Sequence, residues 1–359
     1  MRVLHVDPEP EWGGGDTQVL ALLTELAARG LAVRLAAHPD GPLARAAAAR
    51  GVPLVPLRVR NHLDLGAALA LRRLVPGHDV VHFHTARAHA LAPLCRGRGA
   101  RLVVTRRMDY VPTGGPYARF LYNRAVDAVI AISEGVRQAL LRVGVRDDRI
   151  RVVPSGVDAD ACVAPPRAGE GLRAAWGFTP DDVVVLVLGA LERRKGHAVL
   201  LEAAAQLAAS ATRLRYVFCG DGGEAAALAR AATPLGASLV RFAGFRDDVA
   251  ACLAAADIVA LPSLREGLGV AALEAMAAGR VVVASQVGGL AEVVAHGETG
   301  LLVSPGDARD LGAALAHLAA DRELRRRLGA AGRARVRARY TTARMAEGTL
   351  ACYGEAPCA

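Results

Sequence analysis

The chain has 359 residues, 53% hydrophobic and only 4% aromatic, with a formal net charge of +9 from 44 basic and 35 acidic side chains. That length and apolar content can fill two cores, so two domains are expected, and no apolar run reaches the roughly 18 residues of a membrane-spanning helix. The basic surplus sits mainly in residues 1–160, with 22 basic against 15 acidic residues. So few aromatics are interleaved with it that nucleic acid is excluded as a partner, leaving a phosphate-bearing substrate, an anionic membrane surface or plain solubility.

Taken in order, the chain alternates strand and helix. Met1-Arg2 runs directly into the strand pattern VLHVD at 3–7, without a signal peptide, so a cytoplasmic protein is expected. Trp12-Gly13-Gly14-Gly15-Asp16 reads as a turn into a helix from about Thr17 to Arg29, stopped by Gly30. No G-x-G-x-x-G opens that helix, so this is not the dinucleotide fingerprint, but three glycines at a helix start leave room for a phosphate. LAVRLAAH (31–38), a helix from Pro42 to Arg50, VPLVPL (52–57) and an amphipathic helix from Leu63 to Leu74 follow. The strand DVVHFHT (79–85) carries His82 and His84 on one side near its carboxyl end, where open parallel sheets bind ligands. They are candidate cleft residues or hydrogen-bonded structural histidines. RLVVTRRMD (101–109) ends in Arg106, Arg107 and Asp109, and a loop at 112–116 leads to a helix with Tyr117, Arg119, Tyr122 and Arg124. AVIAIS (128–133), a helix from Glu134 and IRVVPSGVD (150–158) complete this half, and residues 162–170 read as a linker.

The second half repeats the alternation. VVVLVLGAL (183–191) is an almost unbroken apolar strand, as expected when both faces are covered. The turn Glu192-Arg193-Arg194-Lys195-Gly196 then opens a helix to about Ala209. RYVFCGDGGE (215–224), VRFAGFRDDV (240–249) and VVVAS (281–285) are strands ending in loops, and an arginine-rich helix and a last helix around Met345–Tyr353 close the chain. Two doubly wound sheets facing each other across a cleft are therefore expected. Abundant Ala and Gly suit close helix packing, although a GC-rich coding bias gives the same composition. Cys95, Cys162, Cys219, Cys252, Cys352 and Cys358 lack any C-x-x-C spacing and read as free thiols rather than a disulfide framework or zinc site.

Two features carry chemistry. The stretch Pro262 to Ala278 follows the short apolar run 257–261 and sets Glu266 and Glu274 on either side of a Gly267-Leu268-Gly269 turn and one helical face, with strand, glycine turn and helix as the local order. The glycines allow close backbone approach, and the free N–H groups of a helix start suit a diphosphate. Eight helical residues rise about 12 Å, too far for two carboxylates to flank one glycosidic bond at roughly 5–9.5 Å, so one Glu at each end of an extended nucleotide sugar is the better fit. The second feature is Lys195, the one lysine among 44 basic residues. A compact ammonium in a strand-to-helix turn is suited to phosphate oxygens.

The runs GALERRKG (189–196), GDG (220–222), FRDD (245–248), VGGLAE (287–292) and GETGLLV (297–303), with the Glu266/Glu274 pair, GGG at 13–15 and RVVPSGVD at 151–158, resemble the retaining family 4 glycosyltransferases of the GT-B fold. The resemblance spans nearly the whole chain. It implies an acceptor-side Rossmann-like domain at 1–163, a nucleotide-sugar donor domain at 164–342 and a C-terminal helix 343–359 packing back on the first. It implies that Lys195 binds the donor diphosphate, Glu274 the ribose, and Glu266 with Gly267, Leu268 and Gly269 the donor sugar. Phe245 and Arg246 then lie near the base, Asp221 belongs to the donor site, and Gly14 and Gly15 face the phosphates. His82, His84, Arg107 and Asp109 fall on the acceptor side. Three positions depart from the family pattern. Ala190 replaces a frequent Arg, so Arg193 or Arg194 is expected to supply the phosphate charge. Arg107 replaces a frequent His, which suggests an anionic acceptor. Ser155 replaces a common Asn.

The expected reaction is glycosyl transfer from a nucleoside-diphosphate sugar to a glycan or lipid-linked acceptor in envelope or polysaccharide synthesis, catalysed by Glu266 and Lys195. No Asp-x-Asp triplet is present, so no metal and no cofactor are expected. Contact with the anionic inner face of a membrane is expected from the basic first half. A nucleotide-sugar epimerase and a non-catalytic nucleotide-sugar-binding protein are the alternatives.

Overall fold

The computed structural model describes residues 1–110, 115–208 and 213–354. They form two units, one of residues 1–156 with the helix Thr342–Gly354, the other of Val157–Thr341. In the first, β1 (Arg2–Asp7), β2 (Ala32–Ala37), β3 (Leu54–Pro56), β4 (Val80–Phe83), β5 (Arg101–Arg106), β6 (Ala128–Ala131) and β7 (Ile150–Val152) make a parallel sheet in the order β3-β2-β1-β4-β5-β6-β7. The chain winds outward from β1 to β3, then returns to place β4 on the other side of β1, which opens a crevice at the carboxyl ends of β1 and β4. The terminal helix Thr342–Gly354 contributes Met345, Ala346, Cys352 and Tyr353 to the same core as Leu23, Leu26 and Leu35.

The second unit repeats the plan with β8 (Val183–Leu188), β9 (Leu214–Cys219), β10 (Val240–Gly244), β11 (Ile258–Leu261), β12 (Val281–Ser285) and β13 (Gly300–Val303), in the parallel order β10-β9-β8-β11-β12-β13. Its switch point lies between β8 and β11. These two strands are wholly apolar and buried over Val184–Leu188 and Ile258–Leu261, as a strand covered on both faces requires. Both units are thus doubly wound α/β folds.

Glycine is used for close packing at several helix crossings. A Cβ at Gly329 would fall 2.2 Å from the Gly279 carbonyl, and one at Gly169 2.5 Å from the backbone of Ala254. At these points coding bias is not needed to explain the residue.

Several expectations are revised. The first helix is Gly14–Ala28, so Gly14 and Gly15 lie inside its first turn and not in a turn before it. Pro166, within the expected linker, opens a helix running to Ala175, where its fixed φ and missing N–H suit the first turn. The helix expected from Leu63 begins at Leu65 because the Asp64 side chain accepts from Ala67 N. Residues 112–114 of the expected loop, Ala209 and the last residues of the expected C-terminal helix lie outside the described residues. No disulfide links Cys95, Cys162, Cys219, Cys252 and Cys352 among the described residues, and Cys358 is outside them. No helix among the described residues is long and apolar enough to cross a membrane.

Candidate functional site

In the second unit, the loops leaving β8 and β11 meet at the switch point. After β8 the chain makes a short 3₁₀ turn, Arg193–Lys195, and Gly196 reverses it with φ of 67°. A Cβ at Gly196 would sit 1.9 Å from the Pro262 carbonyl, so the turn packs directly on the loop after β11. Leu264 N donates to the Arg194 carbonyl at 2.7 Å and fastens the two loops. Lys195 Nζ then reaches Glu266 Oε2 at 2.5 Å, with both side chains largely buried. Ser263 Oγ lies 3.4 Å from the same oxygen.

Glu266 is on the loop before the helix Val270–Ala277 and Glu274 is inside it, so strand, glycine turn and helix follow in the expected order, while the eight residues between the two carboxylates are not one helical rise. Gly269 caps that helix with φ of 92°, which no L side chain adopts easily, and no side chain caps the first-turn N–H groups. Leu268 is buried, and a Cβ at Gly289 would fall 2.5 Å from the Gly267 carbonyl, so the 287–292 loop seats the Gly-Leu-Gly turn. Glu274 has no side-chain hydrogen bond or ion pair among the described residues, and burial alone pushes its carboxyl up to about 7. An unpartnered carboxyl at this depth is suited to accept hydrogen bonds from an entering polar ligand.

The remaining donor-side candidates border the same region. Gly220 and Gly222 bring the Asp221 loop against the loop after β8, where Leu191 N donates to the Asp221 carbonyl at 2.8 Å. The Asp221 carboxylate accepts from Gly222 N at 2.7 Å and is exposed. Phe245 is 68% exposed, and Arg246 is clamped by Asp248, with Nε to Oδ1 at 2.7 Å. Arg194 is tied to Glu192 at 2.6 Å, which leaves Arg193, exposed and without a carboxylate partner among the described residues, as the more available cation of the two.

In the first unit the carboxyl ends of β1, β4 and β5 hold a buried polar cluster. His82 donates or accepts at Tyr353 Oη (2.6 Å) and Thr105 Oγ1 (2.7 Å), so both ring nitrogens are used inside the protein. His84 Nε2 pairs with His5 Nδ1 at 2.9 Å. Burial holds all three rings well below the ordinary histidine range and so neutral, His5 at about 3. His82 and His84 do lie on one side, 4.1 Å between ring centres, but they are buried and not open cleft residues. His5, His82 and His84 also offer nitrogens within 4.8 Å of one another, a group that could hold a metal ion. The hydrogen bonds at both nitrogens of His82 fit a structural network better.

Arg107 is enclosed near Asp7 and Asp16, and burial lowers its guanidinium to about 10 against the pull of both carboxylates. Asp7 is raised to about 8 by burial and then by Asp16, with Arg107 opposing. Arg107 Cδ would lie 3.5 Å from a Cβ at Gly15, so it braces the first turn of Gly14–Ala28, whose Asp16 accepts from Gly13 N at 2.7 Å. The Asp109 Oδ1 is buried without a hydrogen-bond partner. Sequence reasoning missed Asp7, Asp16 and Tyr353. Asp7, the last residue of β1 at a switch point, had a readable signal, whereas Tyr353 had none.

The profile described as Glycosyltransferase Family 4 matches residues 12–161, and that described as Glycosyl transferases group 1 matches residues 170–335. The chain is 33% identical over 350 residues to alpha-maltose-1-phosphate synthase of Mycolicibacterium smegmatis, covering 88% of this chain and 86% of that protein. The chain is a family 4 glycosyltransferase with the GT-B fold. It is also 31% identical to the D-inositol 3-phosphate glycosyltransferase of Nocardia farcinica, over 98% of this chain and 88% of that one. Among solved structures, Anabaena HepE in complex with UDP and glucose superposes on this glycosyltransferase with a TM-score of 0.89 and 23% identity, covering 99% of this chain and 100% of that one. Sucrose-phosphate synthase from Thermosynechococcus elongatus gives 0.79 and 24%, covering 98% of each chain.

Proposed function

We propose that this glycosyltransferase moves a sugar from a nucleoside-diphosphate sugar to an acceptor hydroxyl with retained anomeric configuration. The carrying observation is the Lys195–Glu266 contact of 2.5 Å beside the uncapped start of Val270–Ala277. As the bond between the anomeric carbon and the diphosphate oxygen breaks, its electron pair goes to the diphosphate, the acceptor oxygen bonds that carbon on the same face, and the acceptor's proton leaves with the diphosphate. Lys195, Arg193 and the helix-start N–H groups stabilise that charge, which is the main catalytic term and requires no metal ion or cofactor. Glu266 with Gly267, Leu268 and Gly269 holds the sugar, Glu274 accepts from the ribose hydroxyls, and Phe245, Arg246 and Asp221 border the base.

The structural relatives that carry UDP and UDP-glucose support a nucleotide-sugar donor. A place in envelope glycan synthesis is supported by a 33% identical relative, covering 78% of this chain, named for lipopolysaccharide core biosynthesis. On this reading the acceptor lies against the first unit on the side of Asp109 and Arg107, while His82 and His84 keep to that unit's buried hydrogen-bond network. An anionic membrane is met by the exposed Arg119 and Arg124 with Tyr117 and Phe120, 47% and 48% exposed, rather than by the enclosed Arg106 and Arg107.

The test is a thermal-shift panel of nucleoside diphosphates and their sugars, followed by turnover of the stabilising donor with a glycan acceptor panel and NMR of the product anomeric proton. One nucleotide raising Tm, with product of the donor's configuration, is expected. Inverted product refutes retention, and no stabilisation by any nucleoside diphosphate refutes the donor site.

A further inference from the structure

The face of the second unit opposite the carboxyl ends of its strands holds a recess of about 680 Å³. Asp257, which precedes β11, and Ala278-Gly279-Arg280, which precede β12, form its floor, so it lies at the opposite strand ends from Lys195, Glu266 and the Gly-Leu-Gly turn. One wall is the helix Arg322–Arg339. That helix can come close because its Gly329 meets the Gly279 carbonyl with no room for a Cβ.

The lining is six arginines, 280, 322, 325, 326, 333 and 337, against one carboxylate, Asp257. Asp257 is already committed to Arg173 and to Val184 N at 2.9 Å. Arg325 donates to the carbonyls of Leu318 and Ala319, and Arg280 to that of Ala254, which accounts for two of the six as caps of backbone carbonyls. Arg326 and Arg337 hold only the exposed Glu323 and Asp160. Arg322 and Arg333 have no carboxylate or carbonyl partner among the described residues, and the stem of Arg333 rests 4.0 Å from where a Gly279 Cβ would be. Like charges gathered around one concavity repel each other, and an anion bound among them relieves that repulsion.

We propose that this recess is a second anion site, distinct from the donor site, that takes a small multiply charged phosphate ester. Guanidinium forks match phosphate oxygens in pairs, and the volume is that of a small-molecule site. A free ester is favoured over a lipid headgroup because the lining is Arg, Ala, Gly and Asp, with no large apolar side chain to enter a bilayer.

The experiment uses inorganic tripolyphosphate as probe in isothermal titration of the full chain, with Arg322→Gln/Arg333→Gln and Lys195→Ala variants. Loss of two charge-assisted contacts should weaken the tighter binding event by about tenfold or more, with the Lys195→Ala value unchanged for that event. In the unmodified chain, phenylglyoxal labelling read by mass spectrometry should show tripolyphosphate protecting Arg322 and Arg333, a result that needs no variant to fold. Protection only at other arginines, or binding lost in Lys195→Ala and kept in the double variant, overturns the site. Flotation with phosphatidylglycerol vesicles that depends on Arg322 and Arg333, without tripolyphosphate binding, overturns the free-ester assignment.

Discussion

Glu274→Gln should stabilise the donor-free protein in a pH-dependent way while weakening donor binding. Burial raises the Glu274 carboxyl from the ordinary 4.5 to about 7, and no cation or donor offsets that cost. Because the folded state holds this proton more tightly than the unfolded chain does, the wild type loses stability as pH rises from about 4.5 to about 7. At about 1.4 kcal/mol per pH unit, the full cost is roughly 3 kcal/mol above that window and under about 1 kcal/mol at pH 5. Glutamine cannot ionise, so the variant escapes this loss, and any fixed cost of the buried amide cancels when two pH values are compared. The variant minus wild-type difference should therefore grow by roughly 2–3 kcal/mol between pH 5 and pH 8.5, or roughly 4–12 °C in Tm for a unit of this size. Calorimetry of both proteins at matched ionic strength without donor measures it. A difference that does not change with pH refutes the claim that Glu274 stands desolvated and unpartnered.

Lys195→Arg should lower kcat/KM by about 5- to 150-fold, the scale of one charge-assisted hydrogen bond, because a planar fork cannot take the ammonium's place beside Glu266; unchanged kcat/KM at saturating acceptor would leave Lys195 as one more cation. Glu266→Gln should mainly lower turnover whereas Glu274→Ala should mainly weaken donor binding, and steady-state kinetics showing wild-type values in both would sink the assignment. Activity should persist in EDTA, and complete loss restored by Mg²⁺ or Mn²⁺ would contradict a diphosphate neutralised by Lys195 and Arg193. Tyr353→Phe removes the 2.6 Å partner of buried His82 and should cost about 1–3 kcal/mol in urea unfolding, an effect that a loosely packed terminal helix would not produce.

Much of the fold was legible in the chain because its signals are local. Continuous apolar runs such as 183–188 mark strands covered on both faces, and the glycine and Asp-led turns between them mark where each strand or helix stops. The residue types of the donor site were legible too, since a lone lysine and two glutamates around a Gly-Leu-Gly turn are unusual in any context. Where the reading failed, the deciding contact lay elsewhere. The separation of Glu266 and Glu274 was read as a continuous helical rise, whereas the left-handed Gly269 starts the helix only at Val270.

What the sequence determined by itself is therefore the alternation of elements and the inventory of reactive side chains. Tertiary structure decided which of them meet. Lys195 and Glu266 are 71 residues apart and touch because β11 returns to lie beside β8, and His82 is occupied by Tyr353 from 271 residues away. Strand order and the docking of a terminal helix follow from burying whole apolar faces at once. No local pattern encodes that choice, and the burial that neutralises His82 and raises Glu274 exists only after it has been made.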